Sequence, residues 1–299
     1  MDQMTEPDPA PRIGSFAALG DSFTEGLNDP GPGGGFLGWA DRVAAVLAGQ
    51  VPGLRYANLA VRGRLLHQVV AEQVPRAVEL APDLVSLAAG GNDILRGTDV
   101  DELAAQFEAA VAALAAAGAQ VLIFTGFDPR TFPVIRLLRG RIAAYDMHLR
   151  AIADEHGCRL VDLWSMRVLR DQRAWSQDRL HLTSEGHRRV AMRTCEVLGL
   201  PVTGDWRAPL SGPLPAVNGP VRANAWLTAR GQDARWVWEY ARPWVRRRLT
   251  GTSTGDGLRP KRPDLLPLGG LGGKVSPQDR GSPRGGRPPG ASTGRRAPR

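Results

Sequence analysis

Between residues 14 and 199 five short apolar runs alternate with stretches of helical period, and few architectures accommodate that alternation. The runs are 16–20 (FAALG), 54–61 (LRYANLAV), 83–89 (DLVSLAA), 120–125 (QVLIFT) and 159–164 (RLVDLW). They have strand length and are largely apolar, which suits strands covered on both faces. The intervening stretches place apolar residues three and four apart. Leu103, Phe107, Val111 and Leu114 do so in one, Ile135, Leu138, Ile142, Tyr145, Leu149 and Ile152 in another, and Val190, Ala191, Thr194, Val197 and Leu198 in the last. Asp99 with Glu102 resembles a capping box at the start of the first, and Thr183 or Ser184 can cap the last. Strand–helix repetition of this kind predicts a parallel sheet with helices on both faces and right-handed crossovers. All the strands then end on one edge, the edge where open α/β sheets bind ligands.

The remainder of the chain has a different composition. Residues 1–13 are polar and proline-containing and are expected to be a flexible lead-in, and residues 200–220 a Pro/Gly-rich connector. Over 221–249 Val237, Tyr240, Ala241, Trp244 and Val245 form an apolar stripe opposite arginines, which predicts a Trp/Arg-rich helical extension kinked at Pro243. Residues 250–299 are rich in Gly, Pro, Ser and Arg and are expected to be a disordered basic tail. The net charge of +8 divides into −4 over 1–199 and +12 over 200–299, so the basicity belongs to the tail and implies no steering field over the sheet. The tryptophans of the extension are expected to dock on the core. Binding an anionic membrane is the lesser alternative, and no specific nucleic acid is indicated. Two cysteines, Cys158 and Cys195, are too few for a disulfide scaffold. With no secretory leader pattern and no apolar run of spanning length, the expected location is the cytoplasm. The oligomeric state is not encoded in these features.

Four groups of chemical interest fall at the expected strand ends. Ser22 follows Gly20 and Asp21 at the end of the first run. Gly63 lies beyond the second run, Asn92 in Gly90-Gly91-Asn92-Asp93 beyond the third, and His181 three residues after Asp178 in the loop after the fifth. Acyl transfer at a serine needs a nucleophile, a base for its proton, a group that orients the base and donors for the oxyanion. Ser22 is the candidate nucleophile and His181 the base. An aspartate at the offset of Asp178 can accept from the imidazole Nδ1–H and leave Nε2 facing the serine. The Asn92 amide and the backbone N–H groups of Gly63 and Ser22 are the candidate oxyanion donors. Taken singly, a Gly-Asp-Ser turn or a lone histidine means little; their co-occurrence at one edge carries the argument. The remaining histidines, His67, His148, His156 and His187, read as surface or core residues.

These blocks, Gly20-Asp21-Ser22, Asn58 to Gly63, Gly91-Asn92-Asp93 and Asp178-Arg179-Leu180-His181, resemble those of the SGNH (GDSL-type) hydrolase family over roughly residues 14–199. The resemblance implies a flavodoxin-like three-layer α/β/α sandwich with a five-stranded parallel sheet. It implies an esterase or lipase-like activity on carboxylic esters through an acyl-serine intermediate, with no metal or organic cofactor. In that reading Ser22, His181 and Asp178 are catalytic, and Ser22, Gly63 and Asn92 form the oxyanion hole. Acyl transfer to an alcohol acceptor on the same scaffold is the alternative, and a protein whose basic tail is the functional part is another. Asp21, Phe127 and Arg130 border the expected cleft as candidate substrate contacts. Phe36 and Phe132 suit an acyl pocket or the core. Arg130, Arg136, Arg139 and Arg141 form a surface that an anionic ester could use, or a solvated helix face.

Overall fold

The computed structural model describes residues 13–132, 134–212 and 255–268. The five apolar runs form parallel strands: β1 (Ser15–Gly20), β2 (Arg55–Asn58), β3 (Leu84–Ala88), β4 (Gln120–Phe124) and β5 (Arg159–Val161). Their order is β5-β4-β3-β1-β2, and a sixth strand, β6 (Arg262–Pro267), lies antiparallel on the outer side of β2. Every residue of β1 and β3 is buried, which requires cover on both faces. Period-two alternation divides that burial. Phe16 and Ala18 face one core with Trp39, Val43, Tyr56, Phe124 and Val190, while Ala17 and Leu19 face the other with Leu87, Phe107, Val111 and Leu149.

The helices supply the two outer layers. α1 (Ser22–Glu25), α2 (Gly38–Gln50), α3 (Leu66–Gln68), α4 (Val74–Leu80), α5 (Gly91–Arg96), α6 (Val100–Ala116), α7 (Arg139–Glu155) and α8 (Ser184–Val197) follow in chain order. Asp99 caps α6 by accepting from the Asp101 and Glu102 amides, and Thr183 Oγ1 caps α8 by accepting from the Gly186 amide at 3.2 Å. Between α3 and α4 the chain makes a π turn over Val69–Gln73. Pro75 has no N–H for the carbonyl four residues earlier, and a widened turn is a common way to absorb that loss. The turn brings Gln73 into the interior, where it is buried.

One expectation about the C-terminal part is corrected. Residues 255–268 of the expected disordered tail are ordered and extend the five-stranded sheet to six. Leu265 is buried there, Arg76 pairs with Asp264 at 2.8 Å, and Arg262 lies over the Tyr56 ring. Lys261 Nζ donates to the carbonyls of Glu25 at 2.6 Å and Phe36 at 3.1 Å and pairs with Asp41. The prolines Pro263 and Pro267 are tolerated because β6 is an edge strand. The first part of the connector also packs: Trp206 and Leu210 are buried, and Trp206 Nε1 donates to Glu196 Oε2 at 2.6 Å between the Arg193 and Arg207 guanidinium groups. The expected helical extension over 221–249 lies outside the described residues, as do 1–12 and 269–299.

Candidate active site

The site begins where β1 stops. Gly20 has φ +145°, and a Cβ there would meet the Ala88 carbonyl oxygen of β3 at 2.3 Å, so only glycine lets the two strand ends approach this closely. Gln73 holds the same residue from the other side. Its Oε1 accepts from the Gly20 amide at 2.8 Å and its Nε2 donates to the Gly20 carbonyl at 2.9 Å. Asp21 caps α1 through the Phe23 amide at 3.0 Å, and Asn58 Nδ2 donates to the Thr24 carbonyl at 3.0 Å. Ser22 thus opens a short helix fixed at both ends.

His181 reaches it from the loop before α8. Its Nε2 stands 3.1 Å from Ser22 Oγ, and its Nδ1 stands 2.7 Å from Asp178 Oδ2. Asp178 Oδ1 accepts from the Ser176 hydroxyl at 2.8 Å and from the Leu180 and His181 amides at 2.9 and 3.0 Å. Asn28 Nδ2 donates to Oδ2 at 2.9 Å. Burial alone would raise this carboxyl, but the His181 hydrogen bond and charge, with the two amides, outweigh it and hold the group well below the usual carboxylate range. The orienting group is therefore an anion through the neutral range, and it favours the imidazole tautomer with its proton on Nδ1.

Two backbone donors face the same space. Neither the Ser22 nor the Gly63 amide has an acceptor among the described residues, and both residues line the cavity. Gly63 takes the left-handed φ of +72°. The preceding residue is clamped to α1, because Glu25 accepts from the Arg62 amide at 2.8 Å and from its guanidinium. Asn92 lies in the first turn of α5, and its Nδ2 donates to Asp21 Oδ2 and to the Arg64 carbonyl, each at 3.0 Å. Both of its amide hydrogens are engaged in this structure. Burial pushes the Asp21 carboxyl up to about 6, against the Phe23 amide and the His181 charge, which lower it.

These groups open into a cavity of about 470 Å³, within the size range of small-molecule sites. Ser22, Gly63, Asn92, Asp178 and His181 all line it. Beyond them the wall is mostly apolar, with Leu95, Ile135, Leu138, Ile142, Leu149 and Trp175. Among the candidate substrate contacts, Asp21 and Phe127 line the cavity. Arg130 is exposed and is not among the lining residues. Arg136 is exposed, and Arg139 and Arg141 are engaged elsewhere. Arg139 and Arg170 pair with the buried Asp128 carboxylate at 2.7 and 3.0 Å, and Arg141 donates to the Thr98 carbonyl. Phe132 is core, packed on Phe127 and Trp175, and Phe36 lies under the Arg62 guanidinium.

His148 and His156 pair with Asp101 and Glu108 away from the cavity. His187 is buried at the cavity wall, and burial pushes it down to about 4 against the Asp29 charge and the Leu27 backbone, which raise it. Glu108, Glu155 and His156 bring ligand-type atoms within 4.8 Å of one another, outside the cavity lining. Sequence reasoning did not single out Gln73, Asn28, Glu25 or Asp146. Only the proline two residues after Gln73 hinted that the helix there would be interrupted, and nothing near the other three marks them.

The sequence model of the GDSL-like Lipase/Acylhydrolase family matches residues 18–189, more than half of the 299-residue chain. No curated protein matches it significantly. Among solved structures it is similar to TesA, with 23% identity and a TM-score of 0.53 over 62% of this chain and 97% of that one. LAE5, an alpha/beta hydrolase enzyme from the metagenome of Lake Arreo, Spain, gives the same identity and TM-score over 62% and 95% of the two chains. Axe2, an acetylxylan esterase from Geobacillus stearothermophilus, is 22% identical over 65% and 98%, also with a TM-score of 0.53. At these identities the likeness is one of fold.

Proposed function

The chain belongs to the GDSL-like lipase/acylhydrolase family, and from that premise we propose that it cleaves carboxylic esters of apolar acyl chains through a covalent acyl-Ser22 intermediate. His181 Nε2 takes the Ser22 proton as Oγ attacks the acyl carbonyl. The carbonyl π pair moves onto oxygen, where the Ser22 and Gly63 amides receive it. Asn92 becomes the third donor by releasing either Asp21 or the Arg64 carbonyl. Asp178 stabilises the imidazolium through Nδ1–H, and Nε2–H then protonates the departing alkoxide, so the alcohol leaves. Water enters, gives a proton to His181 and attacks the acyl carbon. Collapse of that second adduct returns the proton to Ser22 Oγ and frees the acid.

The observation that carries this reading is the unbroken chain from Ser22 Oγ through His181 to Asp178, with contacts of 3.1 and 2.7 Å, at the mouth of a mostly apolar cavity. The apolar wall supports a chain longer than acetyl. The test is covalent labelling with a fluorophosphonate probe. The full chain takes up one label that Ser22→Ala abolishes, and an unlabelled wild-type protein, or a labelled Ser22→Ala, rejects the proposal.

A further inference from the structure

The oxyanion donor at Gly63 belongs to a peptide group rather than to one residue. The Arg62 carbonyl and the Gly63 N–H share one rigid trans plane and point in opposite directions, so whatever fixes the carbonyl oxygen aims the hydrogen. Behind that carbonyl lies Gly255, a buried residue in the segment that returns to the sheet as β6. A Cβ on Gly255 would stand 2.0 Å from the Arg62 carbonyl oxygen, 3.2 Å from the carbonyl carbon and 3.0 Å from Val61 Cγ1. No side chain fits there unless the 62–63 peptide moves.

The same segment holds the chain on either side of that peptide. Lys261 Nζ donates to the Glu25 carbonyl at 2.6 Å, and the Glu25 carboxylate accepts from the Arg62 amide at 2.8 Å. Lys261 also donates to the Phe36 carbonyl at 3.1 Å, and the Phe36 ring carries the Arg62 guanidinium 4.9 Å from its centroid. Beyond Gly63, the Arg64 guanidinium stands 3.8 Å from the Asp256 carboxylate and 3.0 Å from that of Glu72, while the Arg64 carbonyl accepts from Asn92. Within the turn, the Arg64 amide meets the Val61 carbonyl at 3.4 Å, which is long for a hydrogen bond. A turn closed so weakly takes its shape from what surrounds it.

We propose that residues 255–261 position the Gly63 amide for the oxyanion, Gly255 by backing the Arg62 carbonyl and Lys261 by fastening Glu25 and Phe36, on which Arg62 rests. The inference rests on the esterase reading and adds positioning residues to it. Neither Gly255 nor Lys261 lines the cavity, so each acts through Arg62. Donors fixed in advance are effective because they need no rearrangement as charge develops. Tilting the 62–63 peptide forfeits part of that gain in the transition state and leaves the apolar wall that binds the acyl chain untouched. The loss therefore falls on kcat rather than on KM.

The test measures kcat and KM for a medium-chain p-nitrophenyl ester, per site that a fluorophosphonate labels to completion, together with Ki for a trifluoromethyl ketone of the same chain length. Ser22 adds to that ketone to give a tetrahedral oxyanion, so Ki reads the oxyanion donors. In the full chain Gly255→Ala is expected to lower kcat by about 10- to 100-fold, part of the ~10²–10³ that a whole donor carries, and to raise Ki by the same factor with KM unchanged. Lys261→Met, which adds no atom against the peptide, is expected to shift both constants by about tenfold and supplies the readout if the alanine variant does not fold. Asp264→Ala, which releases β6 from Arg76 away from the 62–64 turn, keeps both constants at wild-type values. Wild-type kcat and Ki in Gly255→Ala or Lys261→Met overturn the part given to that residue. A fall in kcat at unchanged Ki, or an equal fall in Asp264→Ala, overturns the positioning role altogether. In each of these cases a wild type that takes the label and hydrolyses the ester leaves the esterase reading standing, whereas one that does neither removes both readings.

Discussion

Asp178 and Asp146 line the same cavity, and their surroundings drive them in opposite directions. Asp178 receives two amides, a serine hydroxyl, an asparagine amide and an imidazole, and its carboxyl is held well below the ordinary range. Asp146 receives one amide, and burial pushes it up to about 7. Burial is the largest influence on each and does not by itself give them opposite directions. The number of donors does. At the catalytic end of the cavity, called its mouth below, donors from two loops converge on an anion, and along the α7 wall, called its arm below, apolar neighbours leave Asp146 with one amide. The surroundings of Asp178 favour a charged carboxylate, and those of Asp146 disfavour one.

If the mouth carries the chemistry, its loss is the largest effect available. Ser22→Ala or His181→Ala is expected to lower kcat by about 10⁶-fold, and Asp178→Ala by about 10⁴-fold, because the imidazole keeps its place near the nucleophile. Comparable turnover in single-turnover assays of all three variants would erase the contrast at its strong end. In the arm the expected effect is on stability, with the opposite sign. A carboxyl raised from 3.8 to about 7 makes the folded state bind the proton more tightly, so stability falls as pH rises between those values. Asp146→Asn therefore stabilises the protein at pH above about 7, by up to about 4 kcal/mol, and the gain vanishes below pH about 4. Urea unfolding at several pH values reads it directly. Asp178 contributes in the other direction, since the stability it adds above its unfolded value is lost as the solution becomes acidic.

The two smaller expectations concern the supports of the mouth. Asn92→Ala is expected to lower kcat by ~10²–10³ with little change in KM, the usual cost of one oxyanion donor. Normal hydrolysis of a short p-nitrophenyl ester by that variant would confine Asn92 to holding Asp21 and the Arg64 carbonyl. Asn28→Ala removes one of the donors to Asp178 and is expected to cost no more than about tenfold in kcat. A larger loss would mean that the Asn28 loop positions more than a carboxylate.

The parts of the molecule that could be read in the sequence share a physical character. The five parallel strands follow from hydrophobic runs between helical periods, and the placing of Ser22, His181 and Asn92 at one cavity follows from polar residues where strands should end. Those signals are local, and the parallel topology carries them to one edge. The parts that stayed hidden depend on partners far along the chain. Gln73 acquires meaning only because a π turn aims it at Gly20, and Asn28 only because a left-handed residue in the loop after α1 reaches Asp178. Asp146 lies on an amphipathic helix whose pattern marks the residue's face but not its missing partner. β6 was obscured by composition: a short segment within a Gly/Pro/Arg-rich tail pairs with β2 through a backbone ladder, one buried leucine and one lysine.

That lysine sets an order in time. Ribosomes add residues from the N-terminus at ~5–20 per second, so the nascent chain carries serine, imidazole and carboxylate for on the order of ten seconds before Lys261 is made. Until then the carbonyls of Glu25 and Phe36 await the ammonium that bridges them, and the outer margin of β2 stands open. A chain clipped before Lys261 would keep Ser22, His181 and Asp178 and lose the ammonium that fastens the end of α1 to the loop before α2.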